Sequence, residues 1–202
     1  MKKFLMTIAA VFAAVNMNAQ YYVGGNVGFS SDSEKGNPAA EKTITGFNIS
    51  PEIGMTLDEK MGVGIVLDFN STKTEIENKT LGTSSDATTT RFGLSPYVRY
   101  QFFKVAQFNV FLDGGVDFGI TSTKDMKAGM DLGLFATPGI AYKVNDQWSI
   151  VAKLNKMFNF RYEKDQVGDY AGAPDADTHM NAKVAAGGFS IGDLTFGVYY
   201  NF

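Results

Sequence analysis

From Gln20 to Phe202 the chain divides into stretches of about ten residues in which apolar side chains alternate strictly with small or polar ones. Side chains of an extended chain point alternately to opposite faces, so each stretch reads as a strand with one apolar face. The last stretch shows the constraint most clearly. Leu194, Phe196, Val198, Tyr200 and Phe202 fall on one face, with Thr195, Gly197, Tyr199 and Asn201 on the other. Chain ends in water fray, whereas a strand that closes a barrel in a membrane pairs its backbone on both sides and sets its last aromatic at the lipid–water interface.

Seven earlier stretches repeat the pattern. Their apolar faces begin with Tyr21, Val23 and Val27, then Phe47, Ile49 and Ile53, then Met61, Val63 and Leu67. They continue with Phe92, Leu94 and Val98, then Phe108, Val110 and Leu112, then Leu132, Leu134 and Ile140, then Trp148, Ile150 and Leu154. Met55 and Leu57 share the parity of Phe47, and Phe158 and Phe160 share that of Trp148. Connections are alternately short, as at Asp58-Glu59-Lys60 and Val144-Asn145-Asp146, and long, over about 30–43, 71–88, 121–129 and 163–188. Phe47-x-Ile49-Ser50-Pro51 recurs as Phe92-x-Leu94-Ser95-Pro96 and as Leu134-x-Ala136-Thr137-Pro138. Proline removes a ladder donor, so this recurrence predicts the same local irregularity on every second strand.

Alternation alone leaves open whether the apolar face points into a soluble barrel or out into lipid. The opposite face decides. It carries Gly24, Asn26, Gly28, Asn48, Ser50, Glu52, Gly62, Gly64, Asp68, Gly93, Ser95, Arg99, Asp113, Gly115, Asp117, Gly139, Ser149 and Lys153. Such a small, polar set with charges of both signs suits the crowded lumen of an eight-stranded barrel better than a solvated surface. The span from Phe92 to Phe102, at ~3.3 Å per residue and ~40° of tilt, gives roughly 25 Å, the height of a barrel's apolar band. Aromatics also sort to two ends. Tyr21, Tyr100, Phe102, Tyr142 and Trp148 form one girdle; Phe29, Phe47, Phe69, Phe92, Phe118 and Phe158 form the other. The fold expected is all-β: an eight-stranded antiparallel up-and-down transmembrane β-barrel.

Met1 to Ala19 reads as an export signal, with Lys2 and Lys3 ahead of the short apolar run Phe4 to Val15 and cleavage expected before Gln20. Residues 1–19 are therefore the signal peptide and 20–202 the barrel domain. Beyond it no stretch approaches the ~18–20 consecutive apolar residues of a transmembrane helix. The chain has no cysteine and one histidine, which exclude disulfides, thiolate metal sites and most histidine relays. A net charge of −3 without a basic block argues against a nucleic-acid partner.

Four lumen charges draw attention. Glu52, Asp113 and Lys153 sit five residues above the inner rim of their strands, and Arg99 reaches up from below. They are expected to meet near mid-height as an ion-pair network, because buried charges survive only when paired. The network reads either as a gate over a narrow ion path or as a static polar plug, and the plug is the preferred reading. Asp175, Asp177 and His179 lie in the longest connection, with a spacing that fits no calcium loop. No nucleophile–base pair is apparent, so neither an enzyme nor a cofactor or metal site is expected.

These residues together resemble the small eight-stranded outer-membrane β-barrels of Gram-negative bacteria, of the OmpA N-terminal and OmpX kind, a porin-like class of the cell envelope. The signal segment, the repeated Ser/Thr-Pro strands and the final Tyr200-Asn201-Phe202 carry the likeness. The resemblance implies that Tyr200 and Phe202 form the signal read by the outer-membrane insertion machinery. It implies a monomer in contact with outer-membrane lipid and lipopolysaccharide, with any surface ligand met by the outer loops. With the sequence ending at Phe202, no peptidoglycan-binding domain is expected. Three functions follow: a closed barrel serving envelope integrity or surface contact, a narrow porin, and, as the least favoured, a soluble barrel binding an apolar ligand.

Overall fold

The computed structural model describes residues 20–35, 40–78, 83–154, 158–164, 166, 178–184 and 194–202. Ten strands cover almost all of them: β1 Gln20–Lys35, β2 Ala40–Thr56, β3 Met61–Asn78, β4 Thr83–Val105 and β5 Phe108–Thr123. They are followed by β6 Gly129–Lys143, β7 Trp148–Leu154, β8 Phe158–Lys164, β9 Thr178–Val184 and β10 Leu194–Asn201. Every pairing is antiparallel, and each of β1 to β6 pairs with the next. β10 then bridges β7 to β1, closing a ring of eight.

The seventh and eighth walls are each built in two legs. β7 pairs with β6 near its end, Lys153 facing Gly139, while β8 pairs higher up, Phe158 facing Ala136. The wall thus advances five residues where β6 advances three. β9 pairs with β8 above the level at which β10 pairs with β7.

The long connections are shorter than the sequence pattern indicates. β1 and β2 remain paired to Lys35 and Glu41, β2 and β3 to Ala40 and Asn78, and β3 and β4 to Asn78 and Thr83, so the β1–β2 and β3–β4 ladders continue side by side as one sheet beyond the barrel. The 163–188 connection contains β9. Polar Ser, Thr and Lys side chains disguise these ladders, because alternation cannot be read where both faces are wet.

The short turns lie together at the other end. Asp58 Oδ1 accepts the backbone N–H groups of Lys60 and Met61 at 2.7 and 2.8 Å. Asn145 Oδ1 does the same for Gln147 and Trp148, at 2.9 and 2.8 Å. Both are side-chain mimics of a backbone turn. β4 and β5 join through Ala106 and Gln107, with Ala106 at φ 51°, in the left-handed region. The ring is sealed beside them, where Phe202 N donates to Tyr21 O at 2.9 Å and Asn201 N to Gln147 O at 2.7 Å.

The protein is apolar outside and charged inside. Val27, Phe29, Ile53, Phe92, Leu134, Ile150, Phe196 and Val198 are exposed, whereas Glu52 and Asp113 are each only 2% accessible. Water would not tolerate such a surface; lipid requires it. Met55 departs from this division, because it has outward parity yet is wholly buried, flanked in register by Tyr21 and Val63. The proline irregularity recurs at all three sites. Pro51, Pro96 and Pro138 each stay in register with the preceding strand, facing Gly25, Ile65 and Leu112, while the ladders to the following wall skip Ser50 and Pro51, Ser95 and Pro96, and Thr137 and Pro138.

Candidate functional site

Strand alternation aims Glu52 from β2, Arg99 from β4, Asp113 from β5 and Lys153 from β7 into the lumen, and there the four side chains meet. Arg99 Nε lies 2.6 Å from Asp113 Oδ1 and its Nη2 2.8 Å from Oδ2, a two-point contact, while Nη2 also lies 3.0 Å from Glu52 Oε1. Lys153 Nζ is 2.7 Å from Glu52 Oε2 and 3.1 Å from Asp113 Oδ2. Two carboxylates thus face two cations with no formal charge left over. Such pairing is what lets charged groups persist out of water.

Aromatic rings complete the layer. Tyr97 donates its hydroxyl to Glu52 Oε1, and Tyr199 donates to Oε2 at 2.8 Å. Tyr22 Oη is 2.5 Å from Tyr97 Oη. The Arg99 guanidinium carbon lies 4.0 Å from the centre of the Phe111 ring and 5.2 to 5.3 Å from those of Tyr22, Tyr97 and Tyr199. A cation enclosed by four rings gains from their negative faces as well as from its carboxylates.

These inward aromatics escape a reading that looks for small lumen residues, and glycines explain how they fit. Tyr22 is in register with Gly54, Tyr97 with Gly64 and Phe111 with Gly139. In each pair the ring occupies the space that a glycine Cβ would need. The rings therefore lie against the wall and leave the barrel axis to the charges. The signal was present as lumen-parity aromatics facing lumen-parity glycines, but it becomes visible only when the register is known.

A second charged group stands above the first. Arg91 Nη2 is 2.5 Å from Asp131 Oδ1 and 3.0 Å from Asp117 Oδ2, which Arg161 Nη2 also reaches at 3.1 Å. Ser95 Oγ bridges Asp117 and Asp68, and Ser50 Oγ donates to Asp68 at 2.7 Å. Gly119 makes room for the Arg91–Asp131 pair. Arg91 and Asp131 fall just outside the stretches that the sequence pattern marks as strands, which hides them.

The Glu52–Arg99–Asp113–Lys153 layer divides the lumen, and Arg91 and Arg161 line the chamber above it. A cavity of about 580 Å³ lies on the ladder side, touching Tyr97, Asp113 and Lys153. Another of about 900 Å³ lies on the turn side, touching Tyr22, Arg99, Phe111 and Tyr199. The two share no lining residue, and Glu52 lines neither.

The remaining residues singled out in the sequence are placed as follows. Tyr21, Tyr100, Phe102, Tyr142 and Trp148 are outward and exposed on the turn side. Trp148, Tyr200 and Phe202 form a chain of edge-on contacts with ring centres 5.0 Å apart. His179 belongs to β9, opposite Glu163. Residues 1–19, Asp175 and Asp177 lie outside the described residues. Among the described residues no group of three or more histidine or carboxylate side chains could hold a metal ion.

Comparison with known proteins agrees with this architecture. The model of the outer membrane protein beta-barrel domain matches residues 4–202. The crystal structure of the outer membrane protein OprG from Pseudomonas aeruginosa is similar over 91% of this chain and 95% of its own, with a TM-score of 0.52 and 12% identity. Neisserial surface protein A is matched over 92% of this chain and 99% of its own, with a TM-score of 0.45 and 13% identity. AlkL, solved by solid-state NMR in lipid bilayers, is matched over 94% and 90%, with a TM-score of 0.43 and 11% identity. No curated protein matches the sequence.

Proposed function

The chain belongs to the family of outer membrane protein beta-barrel domains, and from that premise we propose that it is a non-enzymatic barrel with a shut lumen. In this reading it resides in the outer membrane of a Gram-negative cell, exported by the signal in residues 1–19. It serves envelope integrity or surface contact through the ladders beyond the barrel. One observation supports the shut lumen above all: the cavities on the two sides of the Glu52–Arg99–Asp113–Lys153 layer have no wall residue in common. A neutral, fully hydrogen-bonded layer at mid-height blocks the axis and fixes strand register. The β1–β2 and β3–β4 ladders, where the barrel meets the exterior, then become the surface that meets a ligand. Lipopolysaccharide and lipid surround the apolar wall, and Tyr200 and Phe202 serve as the mark for the insertion machinery. The barrel acts as a monomer.

A second reading is a narrow porin. It is favoured by the thinness of the block, since one layer of side chains separates two chambers of about 580 and 900 Å³. Complementation of a deletion strain distinguishes the two readings. Replacing residues 73–88 with an Asn-Gly turn shortens the β3–β4 ladder while retaining the pairing of Thr72 with Thr89. If the ladders carry function, this variant, still folded in the outer membrane, loses the wild-type resistance to detergent or the wild-type surface contact. If it retains both, function lies in the lumen.

A further inference from the structure

We propose that the ladder-side chamber binds a small monovalent cation at Asp68. The inference begins with a charge imbalance. Glu52 and Asp113 are paired with Arg99 and Lys153, and Asp117 and Asp131 with Arg91 and Arg161. Asp68, half-buried on β3 and lining the same chamber, has no cationic side chain within ion-pair distance among the described residues.

Counting hydrogens sharpens the point. Ser50 Oγ donates to Asp68 Oδ1 at 2.7 Å. Ser95 Oγ stands 2.7 Å from Asp117 Oδ1 and 3.1 Å from Asp68 Oδ2, but a hydroxyl carries only one hydrogen. The shorter contact takes it. Asp68 Oδ2 is then left with the lone pairs of Ser95 beside it, on a chamber whose wall also carries Asp113, Arg91, Lys153 and Arg161.

A carboxylate in a narrow lumen of low dielectric draws a counter-charge far more strongly than one on a wet surface. The cavity of about 580 Å³ has ample room for one. The oxygens present are the Asp68 carboxylate and the hydroxyls of Ser50 and Ser95, with the Asn70 carboxamide, which accepts from Thr72, at the same wall. Divalent cations favour several carboxylates, and no group of three exists among the described residues. The set suits a monovalent ion: a primary ammonium group, whose N–H donors match these acceptors, or a potassium-sized ion. The site lies on the ladder side of the ionic layer, so it does not depend on whether that layer ever opens.

The test uses the refolded ¹⁵N-labelled barrel in maltoside micelles, titrated at constant ionic strength with methylammonium, potassium or tetramethylammonium chloride. The last is a cation that cannot donate a hydrogen bond and is too bulky for close approach. The expected result is saturable movement of the Ser50, Asp68 and Ser95 amide signals with methylammonium, and none with tetramethylammonium. Asp68→Asn is expected to weaken the binding at least tenfold. Saturation by potassium as well identifies the site as one for inorganic cations, and saturation by methylammonium alone as one for ammonium groups. Movement that never saturates, that tetramethylammonium reproduces, or that survives in Asp68→Asn overturns the proposal. The contrast between the two ammonium ions needs only the wild-type chain, so it stands even if the variant does not refold.

Discussion

The Tyr97 ring covers Gly64, the residue directly opposite it in the β3–β4 ladder, so closely that a methyl group on Gly64 would fall inside the ring's van der Waals envelope. Tyr97 cannot swing away, because its hydroxyl is held by Glu52 and Tyr22 in the lumen's central layer. Backbone register, a missing side chain and the ionic layer are therefore one construction.

Gly64→Ala should lower stability by about 1–3 kcal/mol, the usual cost of overpacking. Gly114→Ala is the control. It lies on the outer face, and a Cβ there would meet nothing nearer than 3.9 Å. Urea titration of the folded band on unheated gels reads both. Equal effects would remove the ring-over-glycine explanation.

The ionic layer should behave as a unit. Glu52→Gln or Lys153→Met alone leaves a buried charge without its partner and should cost about 3–5 kcal/mol. The double variant should cost clearly less than the sum, because neither charge is then stranded. Strict additivity in the same urea titration would mean that Lys153 and Glu52 act independently.

Asp58 supplies a pH-dependent element outside the membrane. The backbone N–H of Lys60, followed by that of Met61, holds its carboxyl below the ordinary carboxylate range. Its contribution to the turn is present above the unfolded value and is lost as pH falls through the lower folded one. The amide signals of Lys60 and Met61 should titrate with a midpoint below the value of about 3.9 for free aspartate. Asp58→Ala should abolish that titration. A midpoint at or above the free value would contradict the assignment.

Ala106 adopts a left-handed backbone that glycine accepts without strain. Ala106→Gly should therefore raise stability slightly, by about 0.5 kcal/mol after the unfolded-state entropy of glycine is offset. A loss of comparable size would mean that the turn does not hold that conformation in the membrane.

How much of this was legible in the sequence varied with the physics of each part. The walls were, because lipid on one side and a crowded lumen on the other impose strict alternation from Tyr21 to Phe29 or from Phe92 to Tyr100. The parity of Glu52, Arg99, Asp113 and Lys153 was enough to aim them at one another. The ladders were not legible, since Lys73 beside Thr74 and Glu75 carries no apolar rhythm; nor was β9, whose alternation is equally faint. Arg91 and Asp131 were not legible either, because they lie one residue beyond the apolar girdle, on continuations of β4 and β6 where the apolar rhythm has stopped. The partners of Tyr22, Tyr97 and Phe111 depend on cross-strand register, which a one-dimensional pattern does not contain.

The central claim is that the Glu52–Arg99–Asp113–Lys153 layer shuts the lumen. Single-channel recording of the refolded barrel in a planar bilayer, beside Lys153→Ala, tests it most directly. The account predicts a silent wild-type barrel whose correct folding is shown by its gel mobility shift on heating. Small, steady conductance steps from the wild type, altered in Lys153→Ala, would contradict it and make the same four residues the filter of a pore.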